Sequence, residues 1–292
     1  MIANLAASIH ARLLARAKER GEDFNLVLTR YGIERILYRL SVSPARDHYL
    51  LKGALLFDLW FDVPHRPTRD ADFLGFGAAD RDVLGRHVRD VCVVAVEDGM
   101  VFDPESVSIE EIRDDTRYGG LRVKLFGLLG KARCPVQLDV GYGDAVTPGP
   151  EEIVYPALLE DLPPPKLKVY PRASVVAEKL EAIVSLGIAN SRIKDYFDLR
   201  GLAREGAVAQ DVLADAIGAT FGRRGTALPA ELPLGLTDEF AQNAEKRAQW
   251  KAFLGKNRLE APALDEVIAE VRGFLTEPLR RAWERSLQPR RR

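Results

Sequence analysis

The chain has 292 residues, with 42 Lys and Arg against 43 Asp and Glu and a formal net charge of −1. That balance provides no global basic field advertising nucleic acid, although a local patch stays open. With 47% apolar and 29% charged residues the composition is that of an ordinary globular chain, long enough for one elaborated domain or two modest ones.

The first 21 residues lack the unbroken apolar run of a secretory leader, because His10, Arg12 and Arg16 interrupt it. No uncharged apolar run reaches the roughly 20 residues needed to span a bilayer. A soluble cytoplasmic protein with no membrane partner is therefore expected. Cys92 and Cys134 are isolated and form neither a disulfide framework nor a zinc site. They are expected to be buried small hydrophobes in a reducing compartment.

Residues 3–20 carry Leu5, Ile9, Leu13 and Leu14 at helical spacing, and 23–40 repeat the pattern after Gly21, with Asp23 as cap. "HYLLKGALLFDLWF" reads as a short buried strand, a turn at Gly53 and an apolar helix. "ADFLGF" reads as a second strand, and "RDVLGRHVRDVCVVAVEDG" as a helix ending at Gly99. From Val101 to Tyr142 the pattern is mostly β: "SVSIEEI" alternates, and "LRVKLFGLLGKARCPVQLDVGYG" reads as a hairpin turning at Gly130-Lys131. A proline-rich loop, 148–165, marks a boundary. Helices are expected at 173–187, 193–205 and 209–221, with a Gly/Pro loop at 222–235 before further helices.

An Asp-x-Asp pattern alone says little, since about one chance match is expected in a chain this long. Asp80-x-Asp82 has the pattern too, but in a polar loop leading into a helix, where a solvated N-terminus explains it. Asp70 and Asp72 differ in their setting. On a strand they project from one face while Ala71 and Phe73 face the core. Two carboxylates roughly 4 Å apart repel by about 4 kcal/mol at an effective dielectric near 20. A cation, a protonated acid or a nearby arginine such as Arg66 or Arg69 must offset this. In "CPVQLDVGYGD" Asp139 is a single carboxylate on the polar face of an otherwise buried strand, with Gly141 leaving room for a ligand. Three such acids suit Mg²⁺ and two-metal phosphoryl or nucleotidyl transfer. Spacing alone leaves metal binding and surface charge both open. Thr68, if strand parity extends that far, faces the same side, where a phosphate would add negative charge.

Downstream, in "EKLEAIVSLGIANSRIKDYFDL", Lys179 lies off the stripe of Val176, Leu180 and Ile183, and Asp195 and Asp198 share one helical face. Taken alone, Lys194 and Asp198 fit an exposed i,i+4 pair, with Lys179 a solvated lysine. "FGLLGKAR" has the wrong glycine spacing for a phosphate-binding Walker loop.

Together these blocks resemble the AbiEii/AbiGii toxin family of nucleotidyltransferases, which includes the MenT toxins. The carriers, in order, are "LKGALLFDLW" with "RPTRDADFLG", then "PVQLDVGYGD", then the Lys179 helix and "RIKDYFDL", with "YGIERILYRLSVSP" upstream. They run from about residue 31 to 202. The resemblance implies an α/β (α+β) fold: a polymerase-β-like nucleotidyltransferase core at 48–150, an N-terminal helical segment at 1–47 packed on it, and a helical C-terminal lobe at 165–292. It implies Mg²⁺ or Mn²⁺ held by Asp70, Asp72 and Asp139, with Asp139 also helping to activate the attacking hydroxyl. Lys52, Gly53, Ala54, Arg69, Lys179, Arg192, Lys194 and Asp195 are implied to bind the nucleotide. Asp198 joins Asp70, Asp72, Asp139 and Lys179 among the implied catalytic residues. In one departure, Gly53-Ala54 stands where the family usually has Gly-Ser or Gly-Gly, which shifts weight to Lys52, Lys179 and Arg192.

The implied activity is transfer of a nucleoside monophosphate from an NTP to the 3′ end of tRNA, by a toxin with a cognate antitoxin. Alternatives are a protein or small-molecule acceptor, or a non-catalytic interaction protein whose acids only bridge to arginines. The tail, with Arg280, Arg281, Arg285, Arg290, Arg291 and Arg292, reads either as phosphate contact or as a solvated helix end.

Overall fold

The computed structural model describes residues 2–61, 65–112, 119–206 and 208–288; Arg290, Arg291 and Arg292 lie outside them. The chain forms two compact units: Met1–Gly143 with Glu151–Val169, and Asp144–Pro150 with Tyr170–Arg292.

The first unit opens with helices α1 (Ile2–Arg20) and α2 (Phe24–Ser41). Ile9, Leu13 and Ala17, four residues apart, are buried along α1. The Asp23 carboxylate accepts from the Leu26 N–H at 3.0 Å and caps α2. Next come β1 (Tyr49–Lys52), a 3₁₀ turn, the one-turn helix α3 (Phe57–Trp60), β2 (Asp70–Gly75) and α4 (Arg81–Cys92). Strands β3 (Met100–Phe102), β4 (Ser108–Ile112), β5 (Gly120–Leu129), β6 (Ala132–Tyr142), β7 (Glu151–Val154) and β8 (Lys166–Val169) complete a mixed sheet. Its order is β3-β5-β6-β2-β1-β8-β7, with β4 also on β5. The β5–β6 hairpin turns at Gly130-Lys131 as expected, pairing Leu129 with Ala132.

Period-2 burial sets which side of the sheet is covered. Val123, Leu125, Val136, Leu138 and Val140 are buried on one face. The same side of β6 receives α2, and Gly32 allows the close approach: a Cβ there would sit 2.4 Å from Cys134 Sγ. The Cys134 thiol donates to the Leu28 carbonyl at 3.2 Å. Both cysteines are free and buried, and burial pushes their thiols up, to about 11 for Cys92 and about 12 for Cys134.

Three elements differ from the sequence expectation. The helix expected to reach Gly99 stops at Cys92, because Arg39 of α2 captures the segment from Val94 to Met100. Arg39 donates to the Val94 carbonyl at 3.2 Å and to both oxygens of buried Asp98 at 2.6 and 3.1 Å, and Asp98 accepts from the Met100 N–H at 3.0 Å. The Pro-rich loop is not structureless: β7 lies inside it and pairs antiparallel with β8, which runs parallel to β1. β4 does not alternate in burial, since it lies on the sheet margin and is largely open.

The second unit consists of α5 (Arg172–Leu186), α6 (Lys194–Glu205), α7 (Gln210–Arg224), α8 (Asp238–Gln242), α9 (Ala244–Asn257) and α10 (Leu264–Leu287). α7 packs on α5 and α10, and α6 on α10. Among the described residues no helix is long and apolar enough to cross a membrane. The fold class is α+β: helices lead into a mixed sheet, and further helices follow it.

Candidate active site

β2 lies between β1 and β6, antiparallel to the first and parallel to the second. The register sets Asp72 opposite Lys52 on one side and opposite Asp139 on the other. Ala71 and Phe73 are buried, so Asp70 and Asp72 project from the opposite face. Carboxylate oxygens of Asp70, Asp72 and Asp139 then lie within 4.8 Å of one another, each residue half-buried.

The turn after β1 closes on these acids. Gly53 has φ +75°, and a Cβ there would stand 1.9 Å from Asp72 Oδ2. Glycine is required twice over, for the left-handed backbone and for the contact. On the far flank, a Cβ at Gly141 would meet Lys52 Nζ at 3.9 Å, so the lysine borders the space this glycine leaves. Thr68 Oγ1 donates to Asp70 Oδ1 at 2.6 Å, extending the polar edge two residues before β2.

Mutual repulsion of three carboxylates calls for compensation, and part of it comes from Arg122. Its Nε and Nη2 donate to Asp139 Oδ1 and Oδ2 at 2.9 and 2.7 Å, a bidentate fork, and Gln137 Nε2 adds a contact of 3.2 Å to Oδ1. The hydrogen bond to Asp139 raises the Arg122 guanidinium above its ordinary value. Arg122 was not among the residues singled out from sequence, yet its signal was there. Counting back from a two-residue turn at Gly130-Lys131 pairs Arg122 with Asp139. By contrast Arg69 makes no ion pair among the described residues. Asp80 is a helix cap, as its loop setting suggested: it accepts from the Asp82 and Val83 N–H groups of α4 at 2.8 and 2.9 Å.

All donors in the three-acid cluster are hard oxygens, as Mg²⁺ and Mn²⁺ require. The Arg122 fork and Gln137 Nε2 together take both lone pairs of Asp139 Oδ1, while Oδ2 accepts from Arg122 at 2.7 Å and only at 3.4 Å from Gln137, so a cation would take the place of the Gln137 contact on Oδ2. Asp70, Asp72 and Asp139 thus fit a divalent cation.

A second polar cluster lies in the helical unit. Lys179 of α5 donates to Asp195 and Asp198 of α6, both at 2.7 Å, and Arg192 Nε donates to Asp195 at 2.8 Å. The two aspartates are fully buried and Lys179 keeps only 10% of its side chain exposed, whereas Arg192 keeps 45%. Burial pushes the Asp195 carboxyl up, but Lys179 and Arg192 together more than offset this and hold it below the usual range. Asp198 is therefore not half of an exposed pair with Lys194, which points outward. Nor is Lys179 solvated: helix packing carries it inward to meet two acids that are themselves buried.

All three described tail arginines are matched by acids. Arg280 pairs with Glu277 and Glu284, Arg281 with Glu277 and Asp211, and Arg285 with Asp211 and Asp215. This is the pattern of a solvated helix laced by ion pairs.

Two solved structures from Helicobacter pylori are similar to this chain. JHP933 aligns at 17% identity over 89% of this chain and 94% of that chain, with a TM-score of 0.48. A second, whose description proposes a nucleotidyltransferase, aligns at 18% identity over 89% of this chain and 97% of that chain, with a TM-score of 0.45. No curated protein matches the chain. Residues 35–277 match the family described as "Nucleotidyl transferase AbiEii toxin, Type IV TA system". With the match spanning most of its length, the chain belongs to the AbiEii family of nucleotidyl transferase toxins.

Proposed function

We propose that this protein transfers a nucleoside monophosphate from an NTP to a hydroxyl at the 3′ end of tRNA, in a divalent-metal-dependent reaction. The observation that supports it most is the convergence of Asp70, Asp72 and Asp139 within 4.8 Å beside the Gly53 turn. The acceptor oxygen bonds to the α-phosphorus, the bond from that phosphorus to the β-phosphate oxygen breaks, and pyrophosphate leaves. Held by Asp70, Asp72 and Asp139, Mg²⁺ or Mn²⁺ would neutralise triphosphate charge and favour the ionised acceptor hydroxyl.

This chain's own residues supply positioning and charge. Gly53 lets the backbone of the Gly53-Ala54 turn come close to the phosphates. Lys52 provides a cation next to the acids. Asp139, oriented by the Arg122 fork, takes the proton from the hydroxyl in this reading. The family resemblance assigns Lys179, Arg192, Lys194 and Asp195 to the nucleotide and Asp198 to catalysis. Since two carboxylates already meet Lys179, we assign phosphate charge to Arg192, which keeps 45% of its side chain exposed, and treat Asp195 and Asp198 as positioning residues. Modification of tRNA at this end would block aminoacylation, and the toxin–antitoxin family supports a cognate antitoxin as partner.

Incubation with each α-labelled NTP and total RNA, followed by denaturing gel, tests the reading. Labelled tRNA that requires Mg²⁺ and disappears with Asp72→Ala is expected. Label on protein alone, or transfer that persists in Asp72→Ala, would overturn the acceptor or the metal site respectively.

A further inference from the structure

The open face of the sheet does not end at the acids. From Asp139 back along β6 it carries Gln137, Pro135 and Arg133, and the register places Arg122, Lys124 and Phe126 of β5 opposite Asp139, Gln137 and Pro135. At the far end is a cavity of about 490 Å³ lined by Ser106, Ser108, Lys124, Phe126, Arg133 and Pro135. Its lining holds two cations, one aromatic ring and no acid.

The chemistry of this lining is specific. Arg133 stacks on Phe126, with Cζ 3.9 Å from the ring centroid. Stacking uses the flat face of the guanidinium and leaves its in-plane N–H groups to donate. The Arg133 guanidinium makes no hydrogen bond or ion pair among the described residues. Lys124 pairs with Glu110 at 2.6 Å, both about half-exposed at 51%, so water screens the pair and a phosphate can compete for it. The serine hydroxyls are committed to the backbone: Ser106 accepts from the Phe126 N–H and donates to the Asp103 carbonyl, and Ser108 donates to the Lys124 carbonyl. The cations are thus the donors left for a ligand. Cations beside a stacked aromatic are the combination that binds single-stranded nucleic acid, Lys124 and the in-plane N–H groups of Arg133 taking phosphates and the outer face of the Arg133–Phe126 stack taking a base. The overall charge of −1 gives no sign of such a patch, because it is local.

We propose that this cavity binds a phosphate and a base of the single-stranded end of the RNA acceptor, upstream of its 3′ hydroxyl. At about 3.3 Å per strand residue, Pro135 and Arg133 lie about 13–20 Å from Asp139. That span corresponds to about four to six nucleotides of a stacked strand at roughly 3.4 Å each. The proposal rests on the nucleotidyl-transfer reading, since the acids mark where the 3′ end sits.

The test is fluorescence anisotropy of the full chain with labelled single-stranded RNAs of three and ten nucleotides carrying a free 3′ hydroxyl. Wild type should bind the ten-mer at least about fivefold more tightly than the three-mer. Arg133→Gln, Lys124→Gln and Phe126→Leu, the last keeping apolar volume, should each remove most of that advantage. Each of the two cation substitutions should also lower the salt dependence by roughly 0.7 in log–log slope. Mg²⁺–triphosphate binding by calorimetry reports separately on the acid cluster. If triphosphate binds but the ten-mer has no advantage, or the variants keep it, the cavity assignment is wrong while the reaction stands. Variants that keep RNA binding and lose a purified antitoxin would assign the surface to protein and also overturn it.

Discussion

Gly53 shows how sharply one residue constrains this site. Its positive φ, and the 1.9 Å that would separate a Cβ from the Asp72 carboxylate, leave no room for a side chain. Gly53→Ala should therefore move Asp72 and cut nucleotidyl transfer by at least about 100-fold, and should also cost about 1–2 kcal/mol for the left-handed backbone. Wild-type kinetics in that variant would place the chemistry elsewhere. Lys179 needs the opposite caution. Lys179→Ala strands two buried carboxylates, so a loss of about 3–5 kcal/mol in unfolding free energy is expected alongside any loss of activity. Denaturant melts of Lys179→Ala should show the loss, and an unchanged midpoint would return the lysine to a purely functional role. Asp195 adds a pH signature. Its folded value lies below its ordinary value of 3.8, so its contribution is present above that pH and is lost as pH falls through the depressed folded value. Asp195→Asn should flatten that acid limb in chemical denaturation, while the wild type keeps it.

Between elements, the contact of α2 with β6 is set by the absence of a side chain at Gly32. A methyl group there would lie 2.4 Å from Cys134 Sγ, so Gly32→Ala should destabilise by about 1–3 kcal/mol through overpacking. Cys134→Ala in the same chain should recover part of that loss, and strict additivity of the two changes would argue against the contact. The same logic explains the short α4. Helical periodicity in "RDVLGRHVRDVCVVAVEDG" favours continuation, but Arg39 on another helix needs Asp98 and the Val94 carbonyl, and that long-range pairing wins. Local pattern cannot reveal such a competitor, since 59 positions separate Arg39 from Asp98.

For the molecule as a whole, ligand binding should appear as stability. If the three acids hold a cation with a triphosphate, Mg²⁺ with a nonhydrolysable NTP at about 100 times its dissociation constant should stabilise the protein by roughly 2.7 kcal/mol. Asp72→Asn should abolish that thermal shift, and an equal shift in the variant would exclude the cluster. Strand parity, the lone Asp139 and the family pattern made the α+β class and the three acids legible in the chain, because side-chain alternation along a strand is a local, period-2 property. The two-residue hairpin turn even encoded the Arg122–Asp139 pairing. The sheet order was not legible: nothing local says that β2 lies between β1 and β6 or that β8 joins β1 across a Pro-rich stretch. Nor was the inward turn of Lys179, whose burial depends on two acids from another helix offsetting the desolvation of its charge. Alternation and turn chemistry act between neighbours and can be read from the chain. Which charges are buried together is decided by long-range packing, where desolvation and pairing are settled only once the elements meet.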